Sequence, residues 1–356
     1  MDVVMAANVT LPEALPPLPT YELTQVSNLI PGVDNFYVSL MAPVVAYWIV
    51  SGIFHFIDVF DLFPQYRLHT PAEIASRNRA SRYEVFRDVI LQQIIQMGVG
   101  AVLAYLDPPE YSGKEEYDVA VWATRVRLAQ RALPSMLAVL GINAASMAKS
   151  MSATHPLLAG ALSGGHYPFL TTGLAGPDGS TVPAFASWEI AVAKTIFWMV
   201  IPAMQFGVAL LFLDTWQYWL HRIMHTNKWL YTLYNHPFEG FLLDTLGAGI
   251  AYKLSFMTAR QGIVFFTAST IKTVDDHCGY SLPWDPLQHI SANNAAYHDI
   301  HHQSWGIKTN FSQPFFTFWD SFLGTMWKGD TSLKYERSKK NAEKAVVAEA
   351  KKSQSS

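Results

Sequence analysis

Residues 195–213 read TIFWMVIPAMQFGVALLFL, without a charged side chain, and run directly into 214–225, DTWQYWLHRIMH. A transmembrane helix needs about 20 predominantly apolar residues. This stretch therefore predicts a span whose continuation carries His221 and His225. Working outward, a second long apolar stretch lies at about Phe36 to Ile57. A weaker one runs from Val89 to Leu106, interrupted by Gln92, Gln93 and Gln96. The region from Phe241 to Ile271 carries Asp244, Lys253 and Arg260. It reads as a membrane hairpin with Arg260 near its tip or at an interface, although a buried helical pair fits it about as well. Half of the 356 residues are hydrophobic and 15% are charged, against about 25% charged in average soluble domains. The expected fold is all-α, with about four spans or hairpin halves and a cytosolic helical cap over a histidine-rich site.

The single cysteine, Cys278, excludes an intramolecular disulfide and cysteine-based zinc sites. A net charge of −3 gives no reason to expect nucleic acid as a partner. Orientation follows from the placement of Lys and Arg. None precedes Arg67, whereas Arg67, Arg77, Arg79, Arg82 and Arg87 fall between the first two apolar stretches. Residues 1–35 are then lumenal, without the basic region a signal peptide needs, and Asn8-Val9-Thr10 fits a glycosylation sequon. The segment 36–213 is the membrane region, with a long lumenal loop at about 107–187 in which residues 133–165 suit a short interfacial helix. The histidine-rich part, 214–325, faces the cytosol. Residues 326–356 form a Lys-rich, helix-prone cytosolic tail, read as a solvated surface feature.

Eight of the twelve histidines lie between His221 and His302. His221 and His225 stand four apart, so on a helix they share one face with Cβ atoms about 5–6 Å apart. YHDIHH places His298, His301 and His302 at i, i+3 and i+4, again on one face. Crowded imidazoles repel once protonated, so such a cluster calls for a metal. His236, in YNHPFEG, and His277, in TVDDHCG, lie between the clusters and become plausible ligands beside them. Solvated histidines at a membrane interface are the bland alternative. Imidazole suits Zn, Cu, Fe and Ni. A histidine-rich cluster just beyond a span suits iron that activates oxygen for attack on an alkyl chain, because an unactivated C–H bond offers no acid–base handle. Asp214, Asp275, Asp276 and Asp299 are candidates for accepting the second imidazole N–H, with helix capping as the competing role for Asp275.

These blocks resemble the fatty acid hydroxylase superfamily, and specifically sphinganine 4-hydroxylases. The resemblance rests on DTWQYWLHRIMH, LYNHPFEGFLLDTLG, TIKTVDDHCGY, NNAAYHDIHHQSWGIKTNFSQPFFTFWD and FLGT. In the N-terminal half, LPPLPTYELT, FPQYRLHTPAEI and GKEEYDVAVWATRVRLAQRALP are similar to the filamentous-fungal form. The resemblance implies that 214–325 is a hydroxylase catalytic domain of an endoplasmic reticulum membrane enzyme, with a cytosolic non-haem diiron centre. It also implies O2-dependent 4-hydroxylation of a sphingoid base or dihydroceramide, with electrons from an NAD(P)H reductase through cytochrome b5.

The family pattern has three clusters, H-x-x-x-H, H-x-x-H-H and a second H-x-x-H-H. The first matches His221 and His225, and the last matches His298, His301 and His302. The middle one has no counterpart, since only ten residues separate His225 from His236. Seven histidines remain as ligand candidates: His221, His225, His236, His277, His298, His301 and His302. The shortfall predicts one bound metal, or two held weakly, and little hydroxylase activity. The flanking blocks read smoothly up to the gap, which points to a skipped coding segment. A sterol methyl oxidase or desaturase of the same superfamily, or a non-catalytic membrane partner of an intact hydroxylase, are the alternatives.

Overall fold

The computed structural model describes residues 15–77, 81–175, 181–227 and 237–355. His236, the Asn8 sequon and the interval that would hold the middle cluster lie outside the described residues. In chain order the helices are α1 (Asn35–Val59), α2 (Pro71–Arg77), α3 (Arg82–Leu106), α4 (Glu115–Gln130), α5 (Leu133–Val139), α6 (Ala144–Met151), α7 (Pro156–Leu162) and α8 (Ser187–Thr195). They continue with α9 (Ile201–Thr226), α10 (Pro237–Gly240), α11 (Gly247–Leu254), α12 (Ala259–Asp276), α13 (Leu287–Ile290), α14 (Ala295–His302), α15 (Phe318–Leu323) and α16 (Thr331–Ser355). A π-helical turn, Ile196–Val200, joins α8 to α9, giving one helix of 40 residues. Among the described residues, strands are confined to two small antiparallel pairs, Thr24–Gln25 with Tyr111–Ser112 and Thr171–Ala175 with Thr181–Pro183.

Among the described residues, three helices are long and apolar enough to cross a membrane: Asn35–Val59, Arg82–Leu106 and Ser187–Thr226. A fourth span is possible by length and composition if the bent pair Glu115–Val139 and Ala144–Met151 counts as one. Met41, Val45, Ile49, Ile53 and Phe56 of α1 are exposed on the isolated chain. An apolar stripe of that length matches lipid rather than water. The protein is an all-α membrane protein. Its helices begin where local chemistry dictates. Asp34 caps α1 by accepting from the Phe36 N–H at 2.8 Å. Ser81 and Glu84 form a capping box that starts α3, about two turns before the apolar stretch seen in sequence. Such a box satisfies two otherwise orphaned backbone donors.

The chain forms two compact units, one of residues up to Val26 with Glu110–Met204, the other of Ser27–Pro109 with Gln205–Ser356. In the second unit α1 packs along α12, with Arg260 at the start of α12 donating to the Ser27 carbonyl at 2.5 Å. At the other end the Tyr280 hydroxyl reaches Asp58 at 3.4 Å. Ala209, Leu213, Ala251, Tyr252, Met257 and Phe265 make its main apolar core. The region expected as a membrane hairpin, Phe241 to Ile271, forms a π-helical stretch, Phe241–Leu246, then α11, a break and α12, and none of these is among the helices apolar enough to cross a membrane. Arg260 stands at the break, as the sequence implied. The loop after α1 bridges Arg67 to Tyr280, so the arginine-bearing loop lies at the same end as the C-terminus of α12. The tail is not wholly solvated: α16 packs on α2, and Ala342 is buried.

In the first unit, the stretch expected as a long loop carries the helices α4 to α7 between Glu115 and Leu162. Small residues allow α4 and α8 to approach closely, burying Val119, Ala123 and Ala193. At their crossing Arg127 Nη2 and Nε donate to the Glu189 carboxylate at 2.5 and 2.9 Å. Gln130 Nε2 and the Ala186 N–H add bonds to the same carboxylate at 2.6 and 2.8 Å. Both charges are almost completely buried. Removing one partner of a buried pair leaves an uncompensated charge and costs about 3–5 kcal/mol. Arg127→Met should therefore lower the unfolding free energy of the purified protein by about that amount, measured by denaturant unfolding in detergent. A change below about 1 kcal/mol would contradict the role given to this pair.

Candidate metal centre

The long helix ends on the first histidine pair. His221 and His225, one turn apart on α9, have ring centroids separated by 4.8 Å. Three more histidines come from α14, whose start is fixed by Asn294 accepting from the Tyr297 N–H at 3.0 Å. At 3.6 residues per turn, His298 and His302 share a face while His301 points to the opposite flank. The structure accordingly divides the cluster that the sequence presents as one. His301 lies against the α9 pair, with centroids 4.3 Å from His221 and 4.6 Å from His225, and its Nε2 is 3.1 Å from His225 Nε2. His298 and His302 instead meet His277, the residue after α12. His298 Nε2 is 3.0 Å from both His277 Nε2 and His302 Nε2. Two groups of three result, His221–His225–His301 and His277–His298–His302, each with its ligand atoms within 4.8 Å of one another.

The unused nitrogens explain which face each ring offers. His221 Nδ1 donates to the Phe311 carbonyl at 3.1 Å, His301 Nδ1 to the Thr309 carbonyl at 2.8 Å, and His277 Nδ1 to the Thr273 carbonyl at 2.8 Å. A proton held on Nδ1 leaves the Nε2 lone pair free for a ligand. Nε2 atoms facing each other at 3.0–3.1 Å are joined either by one ring donating an Nε2–H to the other or, when every Nε2 offers its lone pair, by a cation between them. Two nitrogens bound at about 2.1 Å and at right angles to one ion would be about 3.0 Å apart. The donor set therefore fits a metal in each group. Cys278 Sγ instead bonds to the Tyr280 carbonyl and belongs to neither group. Among the described residues, the geometry offers two separate groups of three imidazoles, each able to hold an ion, and not one group of six.

None of the four aspartates takes the acceptor role expected for it at these three rings, because the backbone supplies the carbonyls. Asp214 accepts from the Phe315 and Phe316 N–H groups at 3.1 and 2.5 Å, pinning that loop to α9. Asp275 accepts from Gln288 Nε2 at 2.7 Å, and Asp276 pairs with Lys272. Asp299 binds His69 Nε2 at 2.7 Å, Gln303 Nε2 at 2.9 Å and the Tyr335 hydroxyl at 2.5 Å. His69 and Tyr335 escaped the sequence reading because they lie far from the clusters along the chain. Asp320 escaped it as well. Fully buried, it accepts from the Phe311 and Ser312 N–H groups at 3.0 and 2.8 Å and from the Tyr297 hydroxyl at 2.8 Å. It thereby fixes the loop whose Phe311 carbonyl orients His221. A lone carboxylate in the aromatic run FFTFWDSFL was its only signal. Gly306 has a similar function, since a Cβ there would fall 1.9 Å from the Ile300 carbonyl oxygen. Its own carbonyl accepts from the Thr309 N–H at 2.8 Å.

Cavities among the described residues reach these groups. One of about 680 Å³ runs among α1, α3, α11 and α12 and ends at Thr273, His277 and Cys278. A second, about 310 Å³, contains His221, His277, His298 and His302 in its wall. A third, about 300 Å³, lies between the Arg67–His69 loop and His277, Asp299 and His302.

Residues 206–325, which hold all six placed histidines, match the fatty acid hydroxylase family. A sphingolipid C4-hydroxylase of Saccharomyces cerevisiae is 40% identical over 87% of this chain and 77% of its own length. The chain belongs to the fatty acid hydroxylase family. Sphinganine C4-monooxygenase 1 of Arabidopsis thaliana is 33% identical over 82% of this chain and 88% of its own. The likeness to methylsterol monooxygenase 1 of Rattus norvegicus covers only 32% of this chain, at 29% identity. No solved structure matches. His69 falls outside the segment matched by the family model.

Burial, reinforced by neighbouring imidazoles, pushes His302 down to about 3 and His298 well below the ordinary histidine range. Burial also lowers His277 and His301. Neutral imidazoles are what a metal requires. Among the carboxylates, burial raises Asp275 to about 6 and Asp276 to about 7. For Asp299 burial acts upward, but the bonds from His69 and Tyr335 prevail and hold it low. An unfolded histidine takes up a proton near pH 6.5, whereas these folded ones resist. Their contribution to stability is thus complete above about pH 6.5 and is lost as pH falls toward the folded values. The melting temperature of metal-free protein should fall progressively below about pH 6.5. A melting temperature unchanged down to about pH 4 would contradict the burial argument.

Proposed function

We propose that this chain is a sphinganine 4-hydroxylase: an O2-dependent non-haem iron monooxygenase that converts a sphingoid base or dihydroceramide to its 4-hydroxylated, phytosphingosine form. The observation that carries the reading is the pairing of two three-histidine groups with a cavity lined by membrane helices and ending at His277. Relatives named for this reaction, similar over most of the chain, support it. The sterol alternative is weakened because that likeness covers only about a third of the chain.

His221, His225 and His301 would hold one iron, and His277, His298 and His302 the other, with His236 a further candidate. Iron, when bound, supplies the activation of O2 that an unactivated C–H bond requires. The chain's own residues do the rest. The carbonyls of Phe311, Thr309 and Thr273 keep three Nε2 atoms unprotonated and aimed inward. Apolar side chains such as Leu103 and Phe266 line the large cavity, where an alkyl chain displaces water and keeps the reacting carbon dry. Both groups lie at the end of the second unit that carries the Arg67 loop, which supports a cytosolic site. Electrons would arrive through cytochrome b5 from an NAD(P)H reductase, at the endoplasmic reticulum membrane. With three imidazoles per ion, activity should be well below that of a relative with the middle cluster.

Expression in a yeast strain lacking its C4-hydroxylase provides the test. Phytosphingosine should reappear at a fraction of the level given by the yeast enzyme, and His302→Ala should abolish it. Absence of phytosphingosine in cells that contain the folded, metal-loaded protein would leave the non-catalytic alternative standing.

A further inference from the structure

C4 of a sphingoid base is two bonds from the carbon that carries the amine. A group that holds the ammonium must therefore stand beside one of the histidine groups, an argument that rests on the proposed reaction. Two cavities meet there with different walls. The large one follows α1 from Ser39 to Asp58, roughly 28 Å at 1.5 Å per residue, and its wall includes Leu40, Leu103 and Phe266. The one of about 300 Å³ carries three carboxylates, Asp58, Asp276 and Asp299, against one guanidinium, Arg67. Asp58 and His277 belong to both walls.

The three carboxylates are not equivalent. Asp276 is engaged by Lys272, and Asp299 by His69, Gln303 and Tyr335. Asp58 uses only Oδ1, toward Arg67 Nη1 at 3.1 Å and the Tyr280 hydroxyl at 3.4 Å. Its Oδ2 has no partner among the described residues, and its side chain is 47% exposed where that of Arg67 is 10%. Arg67 is also bound by Asp61, at 3.0 Å, so its charge remains compensated if Asp58 turns to a ligand. An ammonium is the ligand such an oxygen suits, through a charge-assisted hydrogen bond.

We infer that Asp58 is a specificity-determining residue that binds the ammonium of a long-chain amine. The alkyl tail then lies in the large cavity and C4 at the His277–His298–His302 group. An N-acylated substrate lacks the charge and carries a second chain into the smaller, polar cavity. The site is thus built for the free base.

Binding of sphinganine and of N-acetylsphinganine to the purified full-length protein in lipid nanodiscs tests this, with turnover followed in parallel. Wild type should bind sphinganine at least tenfold more tightly than the neutral amide. Asp58→Asn should remove that preference by weakening sphinganine at least tenfold while changing the amide less than twofold, and Asp58→Glu should restore most of it. Equal affinities in wild type, or an Asp58→Asn protein that still prefers the amine, would overturn the inference; the wild-type comparison holds whether or not the variant folds. Selective binding without a 4-hydroxylated product would instead count against the proposed reaction and leave the amine site intact.

Discussion

Uncharged imidazoles whose ring nitrogens converge inside a protein must either share protons with one another or surround a cation. That constraint governs the arrangement at the end of α9, α12 and α14. Each of the three Nδ1 protons at His221, His277 and His301 is taken by a backbone carbonyl. Those carbonyls must in turn be held in place. Asp320 holds the Phe311 loop from beneath, Asp214 holds the next residues of that loop to α9, and Gly306 permits the turn that presents Thr309. Asp214 and Asp320 are tied to backbone donors, which spreads their charge without placing it on the metal ligands.

Membrane helices and metal groups are parts of one solution. A helix that is apolar through residue 213 can afford polar ligands only where it leaves the hydrocarbon, and His221 and His225 come two turns or more beyond that point. α12 ends in the same way, with Asp275, Asp276 and His277 after an apolar course. The large cavity beside α1 and α12 thus opens along lipid-facing helices and closes on His277, which is the geometry an insoluble alkyl chain needs to reach a polar reaction centre.

Much of this was legible in the sequence because hydrophobic runs and helical spacing are local signals. The three long spans, the helical pair with Arg260 at its break and the pairing of His221 with His225 all follow from residues close in the chain. The partition of His298, His301 and His302 between two groups also follows from helical geometry, but only once the positions of α9 and α12 are known. Contacts between distant segments were not legible. Asp299 with His69, Asp320 with Phe311, and Arg127 with Glu189 join residues whose identities carry no mark of their partners. The helices between Glu115 and Leu162 read as part of a loop because they are short, rich in small and mixed residues, and carry no long apolar run.

The central claim is that six histidines form two separate three-imidazole metal sites. Iron content per chain, measured on purified wild type, His301→Ala and His302→Ala after reconstitution, tests it most directly. Wild type should hold two irons, both removable by chelator, and each variant should keep one. A single iron in wild type, lost equally in either variant, would contradict the account.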